Sequence, residues 1–345
     1  MFTEVLILLV VASNAAQQCT SEMDCSLNGL CLNSQCICDA PWGGLQCSQL
    51  EYSVTLASAK SIYNNSDPRN TWGGPLVGPG SDGKYHAFIP LYEIGSLQHG
   101  HVETTLHGIA DSPTGPWDFN LLPNISSTSI NPQFLAFKNS SSGETFVSLW
   151  VDGGVLLSNS LYGPFIPHMG LGLYQTNPAP IYVNKTFYST SQFTTEVYVA
   201  SELQGPWSIF ANISHPATLP YHVEDPFMWI DRRGHWHIIN HAYNLSEFTD
   251  CSASHVSSHF FSEDGKNWHW SDRPYSHVVQ YDDGSEKTFA TLERPNLLFN
   301  SYGQPTYLTV AVDLEASNNC SNVQQCCACC KAGDHSGTAV IKLAV

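Results

Sequence analysis

Residues 221–244 read YHVEDPFMWIDRRGHWHIINHAYN and combine, in one short stretch, two candidate strands, a turn and a pair of acids. The segment PFMWI is rich in strand-forming residues, DRRG is a polar turn that ends in glycine, and HWHIINH returns as a second strand. This pattern predicts a β-hairpin. The acids come where the first strand begins, so they are expected at the open end of the hairpin.

Antiparallel counting across this turn groups three ionisable side chains. If Ile230 lies opposite His235, then Glu224 lies opposite His241, and Asp225 is next to Glu224 on the same strand. The count therefore predicts that two acids and one histidine share one end of the hairpin.

The composition is that of an ordinary globular protein, since 42% of the 345 residues are hydrophobic and 12% are charged. Acids outnumber bases 30 to 13, and the formal net charge of −17 argues against nucleic acid or an anionic membrane as a partner. The 16 Phe, 15 Tyr and 9 Trp suit stacking on sugars as well as packing in β-sheet cores. A neutral carbohydrate is compatible with this composition.

The first residues, MFTEVLILLVVASNAAQQ, predict a secretory leader over residues 1–16 and therefore a secreted, extracellular protein. The apolar run is too short to span a membrane, and no later segment is long and apolar enough to do so. Twelve cysteines and seven N-x-Ser/Thr acceptors for N-linked glycans support secretion. The acceptors are Asn64, Asn124, Asn139, Asn184, Asn212, Asn244 and Asn319.

Six cysteines fall within residues 17–48, a segment too short to build a hydrophobic core without disulfides. Their spacing and the ending CICDAPWGGLQC resemble an epidermal growth factor (EGF)-like module. Spacing alone leaves fifteen pairings open. The resemblance implies Cys19–Cys31, Cys25–Cys36 and Cys38–Cys47, and a role as an extracellular spacer or contact for a protein partner. The acidic motif of calcium-binding modules of this type is missing, so no calcium is expected there.

Residues 49–345 contain short β-prone runs broken by Gly, Pro, Asn and Ser, which predict one all-β domain. Two signals recur in fixed order, namely a proline that opens an apolar strand and a Gly-Pro-aromatic turn that closes the unit. The opening prolines are Pro75, Pro132, Pro178, Pro226 and Pro295. The closing turns read DSPTGPWDF, NSLYGPFIP, ASELQGPWSIF and, more loosely, FSEDGKNWHW. Intervals of 46 to 69 residues between the prolines suit four-stranded blades, so the pattern predicts a five-bladed β-propeller.

This ordered repeat resembles the five-bladed propellers of arabinanases, β-xylosidases and invertases, and its DP and GPW signatures are most similar to glycoside hydrolase family 43. The resemblance covers residues 52–345 and implies hydrolysis of glycosides by paired carboxylates. In that family, the residue beside each opening proline faces the ligand at the mouth of a central funnel. The base, an orienting Asp and the acid come from the first, third and fourth blades of the set.

Matching these positions implies roles for two acids. Glu293 in ERPNLLF matches the acid, and Asp225 in EDPFMW matches the residue that orients the acid and tunes its acidity. The same count places the base at Asn131, and an amide cannot accept a proton near neutral pH. The alternatives for the base are Glu224, Asp152 and His241. A second register, with Glu224 as the acid, fits less well because it places the orienting position at Asn177 and the base at Gly73 and Gly74.

Other positions near the mouth are predicted to bind the sugar. They are Asn131, Asn177, His222, His241, Arg294, Trp72 and Tyr243. The aromatic rings of Trp72 and Tyr243 are expected to stack on the sugar. His235, His237 and His241 alternate on one face of a strand, but a strand spreads such residues about 7 Å apart. We therefore expect no protein-bound metal and no cofactor.

Six more cysteines lie in the propeller sequence. They are Cys251, Cys320, Cys326, Cys327, Cys329 and Cys330. In a secreted chain disulfides are a better expectation than zinc, and the sequence leaves their pairing open.

Two functions of different classes fit these observations. The first is a secreted glycoside hydrolase acting on a furanoside, a xyloside or a related oligosaccharide, with Glu293 as its acid. The second is a glycan-binding or adhesion protein on a hydrolase-like propeller, which the amide of Asn131 favours. The paired acids favour the first function, because binding alone does not require converging carboxylates.

Overall fold

Five antiparallel sheets, arranged as the blades of a propeller, make up most of the protein. This computed structural model describes residues 18–53, 70–92, 102–122, 131–139, 143–168, 171–215, 222–243, 256–281, 283–289, 292–313 and 336–345. A segment held by three disulfides precedes the blades. The structure therefore confirms an all-β, five-bladed propeller with a small disulfide-rich N-terminal region.

The N-terminal segment begins with a 3-10 helix, Glu22–Cys25, and continues with β1 (Gly29–Leu32), β2 (Gln35–Cys38), β3 (Trp42–Gly43) and β4 (Gln49–Leu50). Blade 1 consists of β5 (Asn70–Thr71), β6 (Leu76–Val77), β7 (Tyr85–Tyr92), β8 (Val102–Ala110) and β9 (Asp118–Leu121). Blade 2 consists of β10 (Gln133–Lys138), β11 (Thr145–Val151), β12 (Gly154–Ser158) and β13 (Ile166–Pro167).

Blade 3 consists of β14 (Ala179–Val183), β15 (Thr186–Thr190), β16 (Glu196–Ala200) and β17 (Ser208–Asn212). Blade 4 consists of β18 (His222–Ile230), β19 (Trp236–Tyr243), β20 (Val256–Ser262) and β21 (His269–Asp272). The hairpin β22 (Val278–Gln280) and β23 (Glu286–Thr288) leads to blade 5, formed by β24 (Leu292–Phe299), β25 (Pro305–Asp313) and β26 (Ser336–Lys342).

The hairpin of residues 222–243 is present, but its register near the turn differs from the predicted one. Ile230 pairs with Trp236, one residue beyond the predicted partner, whereas Glu224 pairs with His241 as predicted. A β-bulge between Glu224 and Phe227 absorbs the difference. The antiparallel count failed at the turn because it assumed an unbroken ladder.

The two ends of the described chain close the ring of blades. Glu51–Ser53 hydrogen-bond with Lys342–Ala344, next to the last strand of blade 5. The hydroxyl of Thr338 on β26 donates to the carbonyl oxygen of Gly73 in blade 1, at 3.2 Å. Blade 5 is thereby fixed beside blade 1, which sets the width of the funnel between the blades.

The N-terminal segment has the disulfide pairs that the resemblance to an EGF-like module implied, namely Cys19–Cys31, Cys25–Cys36 and Cys38–Cys47. It packs on blade 4, where Arg233 donates to the carbonyl oxygen of Leu27 and to the carboxylate of Asp39. Trp42 stacks on His259 of β20, with ring centroids 5.3 Å apart. These contacts fix the segment against the propeller, and its role as a spacer or as a contact for a protein partner stays a prediction.

Several predictions concern residues outside the described ranges. These are the leader (1–16), the acceptors Asn64, Asn124, Asn244 and Asn319, the side chain of Tyr243, and the cysteines Cys251, Cys320, Cys326, Cys327, Cys329 and Cys330. Among the residues that the structure does describe, no helix has the length and apolar character needed to cross a membrane.

Candidate functional site

The residue before each opening proline has a positive φ angle in all five blades. Its φ angle is 56° at Asn131, 46° at Asn177, 54° at Asp225, 52° at Arg294 and 130° at Gly74. Positive φ is costly for residues other than glycine, and a following proline further restricts the backbone. A strained turn repeated at one end of every blade indicates a site held by the fold, and we call this end of the propeller the mouth.

In blades 4 and 5 the strained turn coincides with a β-bulge. The ladder shifts between Glu224 and Phe227 in β18 and between Glu293 and Asn296 in β24. Glu224 and Glu293 are therefore equivalent in the repeat, each two residues before its opening proline. Both glutamates keep a ladder partner, His241 and Ala311 respectively, and each bulge begins directly after its glutamate.

Four ionisable side chains from blades 4 and 5 meet at the mouth. One carboxylate oxygen each from Glu224, Asp225 and Glu293 and one ring nitrogen of His241 all lie within 4.8 Å of one another. His241 Nδ1 is 3.6 Å from Glu224 Oε1, and Gln192 donates to the other oxygen of Glu224 at 3.1 Å. The two acids and the histidine of the hairpin thus share one end, with Glu293 added from the next blade.

Arg294 brings a permanent positive charge next to these acids. Its Nε lies 3.7 Å from Asp225 Oδ1, and its Nη1 donates to the hydroxyl of Tyr92 at 3.2 Å and to the carbonyl oxygen of Trp72 at 3.5 Å. A Cβ added to Gly73 would lie 2.9 Å from the Cβ of Arg294. Blade 1 therefore has glycine at this level because Arg294 fills the space that a side chain would need.

A chain of amide hydrogen bonds connects blades 2, 3 and 4. Asn131 Nδ2 donates to Asn177 Oδ1, and Asn177 Nδ2 donates to Asp225 Oδ1. Asp152, at the end of β11, accepts from the backbone N–H of Asn177 at 2.8 Å and from Asn131 Nδ2 at 3.5 Å. The order of donors fixes the orientation of both amides, and it leaves Asn131 Oδ1 buried with no hydrogen-bond partner within the described structure.

A pocket opens on this network. It holds about 260 Å³ of empty space, part of it open to solvent. Asn296, which lines the pocket, has a buried Oδ1 that lacks a hydrogen-bond partner among the described residues. The lining residues are Trp72, Gly74, Asn131, Pro132, Gln133, Asn177, Asp225, Pro226, Arg294 and Asn296. Two unused acceptors, an arginine and a tryptophan suit a ligand rich in hydroxyl groups.

The acids of the site differ in protonation because their surroundings differ. Burial raises the pKa of Asp225 to about 7, and the negative charges of Glu224 and Glu293 act in the same direction. The positive charge of Arg294 lowers this pKa but does not outweigh burial. For Glu224, burial acts to raise the pKa, but the hydrogen bond and charge of His241 outweigh it and the pKa lies below its usual value. Burial also raises the pKa of Asp152. Near neutral pH, Glu224 is therefore ionised, whereas Asp225 is present in both its protonated and its ionised form.

His241 has the opposite behaviour from an ordinary buried histidine. Burial acts to lower its pKa, yet the negative charges of Glu293 and Glu224 raise the pKa overall. It can therefore carry a positive charge near neutral pH and, together with Arg294, offset the acids around it.

The other sequence-predicted residues are placed as follows. Trp72, Asn131, Asn177 and Arg294 line the pocket, and His222 is exposed at the start of β18, where its backbone pairs with Tyr243. Sequence reasoning missed Tyr92, Gln192 and Asn296. Asn296 directly follows an opening proline, as Gln133 does, so the repeat itself could have identified it; Tyr92 and Gln192 carried no such signal.

The residues that could hold a metal ion are the same four, Glu224, Asp225, His241 and Glu293. Carboxylate oxygens suit a hard cation such as Ca²⁺. Arg294, however, already forms an ion pair with Asp225 and would compete with a metal ion for that carboxylate. The sequence-based expectation of no metal stays a prediction.

Comparisons with known proteins bear on the fold. No family model matches the chain, and no curated protein matches its sequence. Among solved structures, it is similar to the catalytic domain of a GH62 α-L-arabinofuranosidase from Coprinopsis cinerea, with 11% identity and a TM-score of 0.54, covering 86% of this chain and 98% of that one. It is also similar to a GH43 β-xylosidase/α-arabinofuranosidase from a compost microbial metagenome, with 11% identity, a TM-score of 0.52 and coverage of 83% and 94%.

A family 117 glycoside hydrolase from the marine bacterium Zobellia galactanivorans is similar as well, with 13% identity, a TM-score of 0.51 and coverage of 86% and 90%. These likenesses extend over most of each compared chain. The structural neighbours are thus propeller glycoside hydrolases, as the sequence resemblance implied, and at these identities the likeness concerns the fold.

Proposed function

We propose that the protein is a secreted glycoside hydrolase acting on a furanoside, a xyloside or a related oligosaccharide bound at the mouth. The observation that supports this most strongly is the convergence of Glu224, Asp225, His241 and Glu293 within 4.8 Å. Grouping three carboxylates is electrostatically unfavourable, so a reactive role explains it better than structural support. The likeness of fold to glycoside hydrolases agrees with this proposal.

In this proposal, Glu293 donates a proton to the leaving oxygen of the scissile bond. Asp225 orients Glu293 and adjusts the charge beside it. Glu224 is an unsuitable base, because it lies within 4.8 Å of Glu293, whereas an inverting pair needs roughly 6.5–9.5 Å to leave room for water.

Asp152 is the better candidate for the base. It belongs to blade 2, the blade in which the family pattern places the base. Its Oδ1 lies 3.5 Å from Nδ2 of Asn131. Burial raises its pKa, which makes it a stronger base than an exposed aspartate.

The same proposal assigns the sugar contacts. Asn131 Oδ1 and Asn296 Oδ1 accept from hydroxyl groups, Arg294 donates, and Trp72 provides an apolar face. Asn177 holds Asn131 and Asp225 in position. We keep His222 and Tyr243 as outer contacts, since they begin and end the paired strands at the mouth.

A second function is favoured by one observation, the amide at Asn131. Without a carboxylate at that turn, the mouth would bind a glycan without cleaving it, and the protein would serve in recognition or adhesion. The division into a leader (1–16), an EGF-like domain (17–48) and a propeller (49–345) is part of the proposal, as are extracellular location and a protein partner for the EGF-like domain.

Release of sugar from a panel of aryl arabinofuranosides, xylosides, fructosides and galactosides tests the proposal. We expect the wild-type protein to cleave at least one of them, and Glu293→Gln to lower kcat/KM roughly 100- to 10,000-fold where the leaving group needs a proton. Glu263→Gln, which changes an exposed acid on the turn after β20, is the matched control and should leave the rate unchanged. No cleavage by the wild-type protein, together with binding on a glycan array, would replace the hydrolase proposal with the binding one.

A further inference from the structure

A second cavity lies between blades 2 and 3, at the end opposite the mouth. β10 begins at the mouth pocket with Gln133 and ends at this cavity with Lys138. The cavity holds about 550 Å³ of empty space, part of it open to solvent. It is therefore larger than the mouth pocket and separate from it.

The cavity has an apolar wall and a polar edge. Phe146, Leu157 and Tyr182 are half-buried on the wall, and the hydroxyl of Tyr182 donates to the carbonyl oxygen of Lys138 at 2.8 Å, which holds the ring in place. The polar edge comprises Lys138, His168, Ser201, Glu202 and Gln204. A sugar ring has the same combination of one apolar face and a polar circumference.

The His168 side chain supports the presence of a ligand in the cavity. Its Nε2 is buried, yet it has no hydrogen-bond partner among the described residues. A buried polar atom without a partner is destabilising, so such an atom on a cavity wall favours a polar group inside the cavity.

Asn139 lines this cavity and begins the acceptor sequence Asn-Ser-Ser at 139–141. The acceptors Asn184 and Asn212 differ, since both side chains are exposed and neither lines the cavity. Of the three acceptors in the described structure, only Asn139 would hold the first sugar of a glycan against a preformed cavity.

We propose that Asn139 carries an N-linked glycan whose first N-acetylglucosamine lies in the cavity between blades 2 and 3. The sugar's apolar face would pack on Tyr182 and Phe146, and its amide or hydroxyl groups would pair with His168 Nε2. Because the sugar is bonded to Asn139 Nδ2, it is present at high effective concentration and weak contacts suffice to hold it.

Formation of this glycan needs a lipid-linked oligosaccharide as co-reactant. Asn139 Nδ2 forms a bond to C1 of the first sugar as the bond from C1 to the lipid pyrophosphate breaks, and the amide loses one proton. The three disulfides are consistent with passage through an oxidising secretory compartment, where such donors occur. The proposal does not depend on the chemistry at the mouth.

Expression of the full chain in a glycosylating eukaryotic host, followed by peptide mapping, tests occupancy first. We expect a glycan at Asn139. Ser141→Ala removes that acceptor without changing Asn139, and Ser214→Ala removes the acceptor at Asn212 as a matched control. We expect Ser141→Ala to lower the melting temperature by several degrees and Ser214→Ala to have no measurable effect. An unglycosylated Asn139 in the secreted protein, or equal melting temperatures for both variants, would overturn the proposal.

Enzymatic removal of the glycans from the folded protein provides a test of position. A sugar held in the cavity should make the glycan at Asn139 at least tenfold slower to release than the one at Asn212. His168→Ala keeps the acceptor sequence and should speed release at Asn139 only. Equal release rates at the two sites would show that the sugar lies outside the cavity.

Discussion

Blades 2 and 3 present amides at the mouth, whereas blades 4 and 5 present acids, although the backbone is the same in all four. The φ angles of Asn131 and Asn177 differ by no more than ten degrees from those of Asp225 and Arg294, which also precede opening prolines. In blades 4 and 5 a ladder-paired glutamate precedes this residue, and a bulge follows the glutamate. The repeat thus sets positions, and the residue at each position sets the chemistry.

The two halves of the mouth also differ in how they are held. The amides form an ordered chain from Asp152 to Asp225, in which the direction of each hydrogen bond is fixed. The acids are held by opposite charge, through Arg294 and His241. An ordered chain suits recognition of a ligand, and a group of acids with altered pKa values suits proton transfer.

The largest expected effect comes from removing the proposed base on the amide side. Asp152→Asn should lower kcat/KM for a cleaved glycoside roughly 100- to 10,000-fold, because an amide cannot take a proton from water. The variant should fold, since the new side chain can still accept from the backbone N–H of Asn177. Steady-state kinetics and sugar affinity measured on the same preparation separate catalysis from binding.

A second substitution sharpens this test. Asn131→Asp added to Asp152→Asn places a carboxylate at the turn and should restore part of the lost rate. Retention of the wild-type rate in Asp152→Asn alone would exclude Asp152 as the base.

An effect of a few kcal/mol on stability is expected at Asp225. Its pKa is raised to about 7 in the folded protein, so between pH 4 and 7 the folded state holds a proton that the unfolded state has lost. Stability conferred by this group is therefore greatest at acid pH and falls as the pH rises to about 7. Asp225→Asn removes the penalty and should stabilise the protein at pH 8 but not at pH 4, as urea unfolding at both values would measure. A variant that is destabilised at pH 8 would contradict the assignment of a raised pKa.

A smaller effect is expected in blade 1, where glycine takes the place of the amides and acids. Gly73→Ala should lower the free energy of unfolding by roughly 1–3 kcal/mol, through the cost of positive φ and contact with the Cβ of Arg294. Gly83→Ala is the matched control, because Gly83 has a similar φ of 75° and no atom within 4 Å of the added Cβ. Equal losses in the two variants would show that Arg294 does not require the glycine.

Much of the fold could be predicted from the sequence because the signals are local and repeated. Each opening proline and each Gly-Pro-aromatic turn is a short-range feature, and their order gave five blades. The pairing of Glu224 with His241 could also be counted, but only because a bulge happened to compensate for the wrong register at the turn.

The composition of the site could be predicted only in part. Glu293 and Asp225 were found through the repeat, whereas Tyr92 lies at the end of a strand in blade 1 and reaches Arg294 across 202 residues of chain. The role of Arg294 in filling the space beside Gly73 depends on ring closure, which no local pattern contains. Docking of the N-terminal segment through Arg233 has the same long-range character.

The role of Glu293 as the acid is tested most directly by how far the loss of rate in Glu293→Gln depends on the leaving group. A leaving group that needs no proton, such as 2,4-dinitrophenol, does not require the acid, whereas a sugar or alkyl leaving group does. We expect near wild-type release of dinitrophenol and a loss of roughly 100-fold or more on a glycoside with an alkyl leaving group. An equal loss on both substrates would contradict the role of Glu293 as the acid.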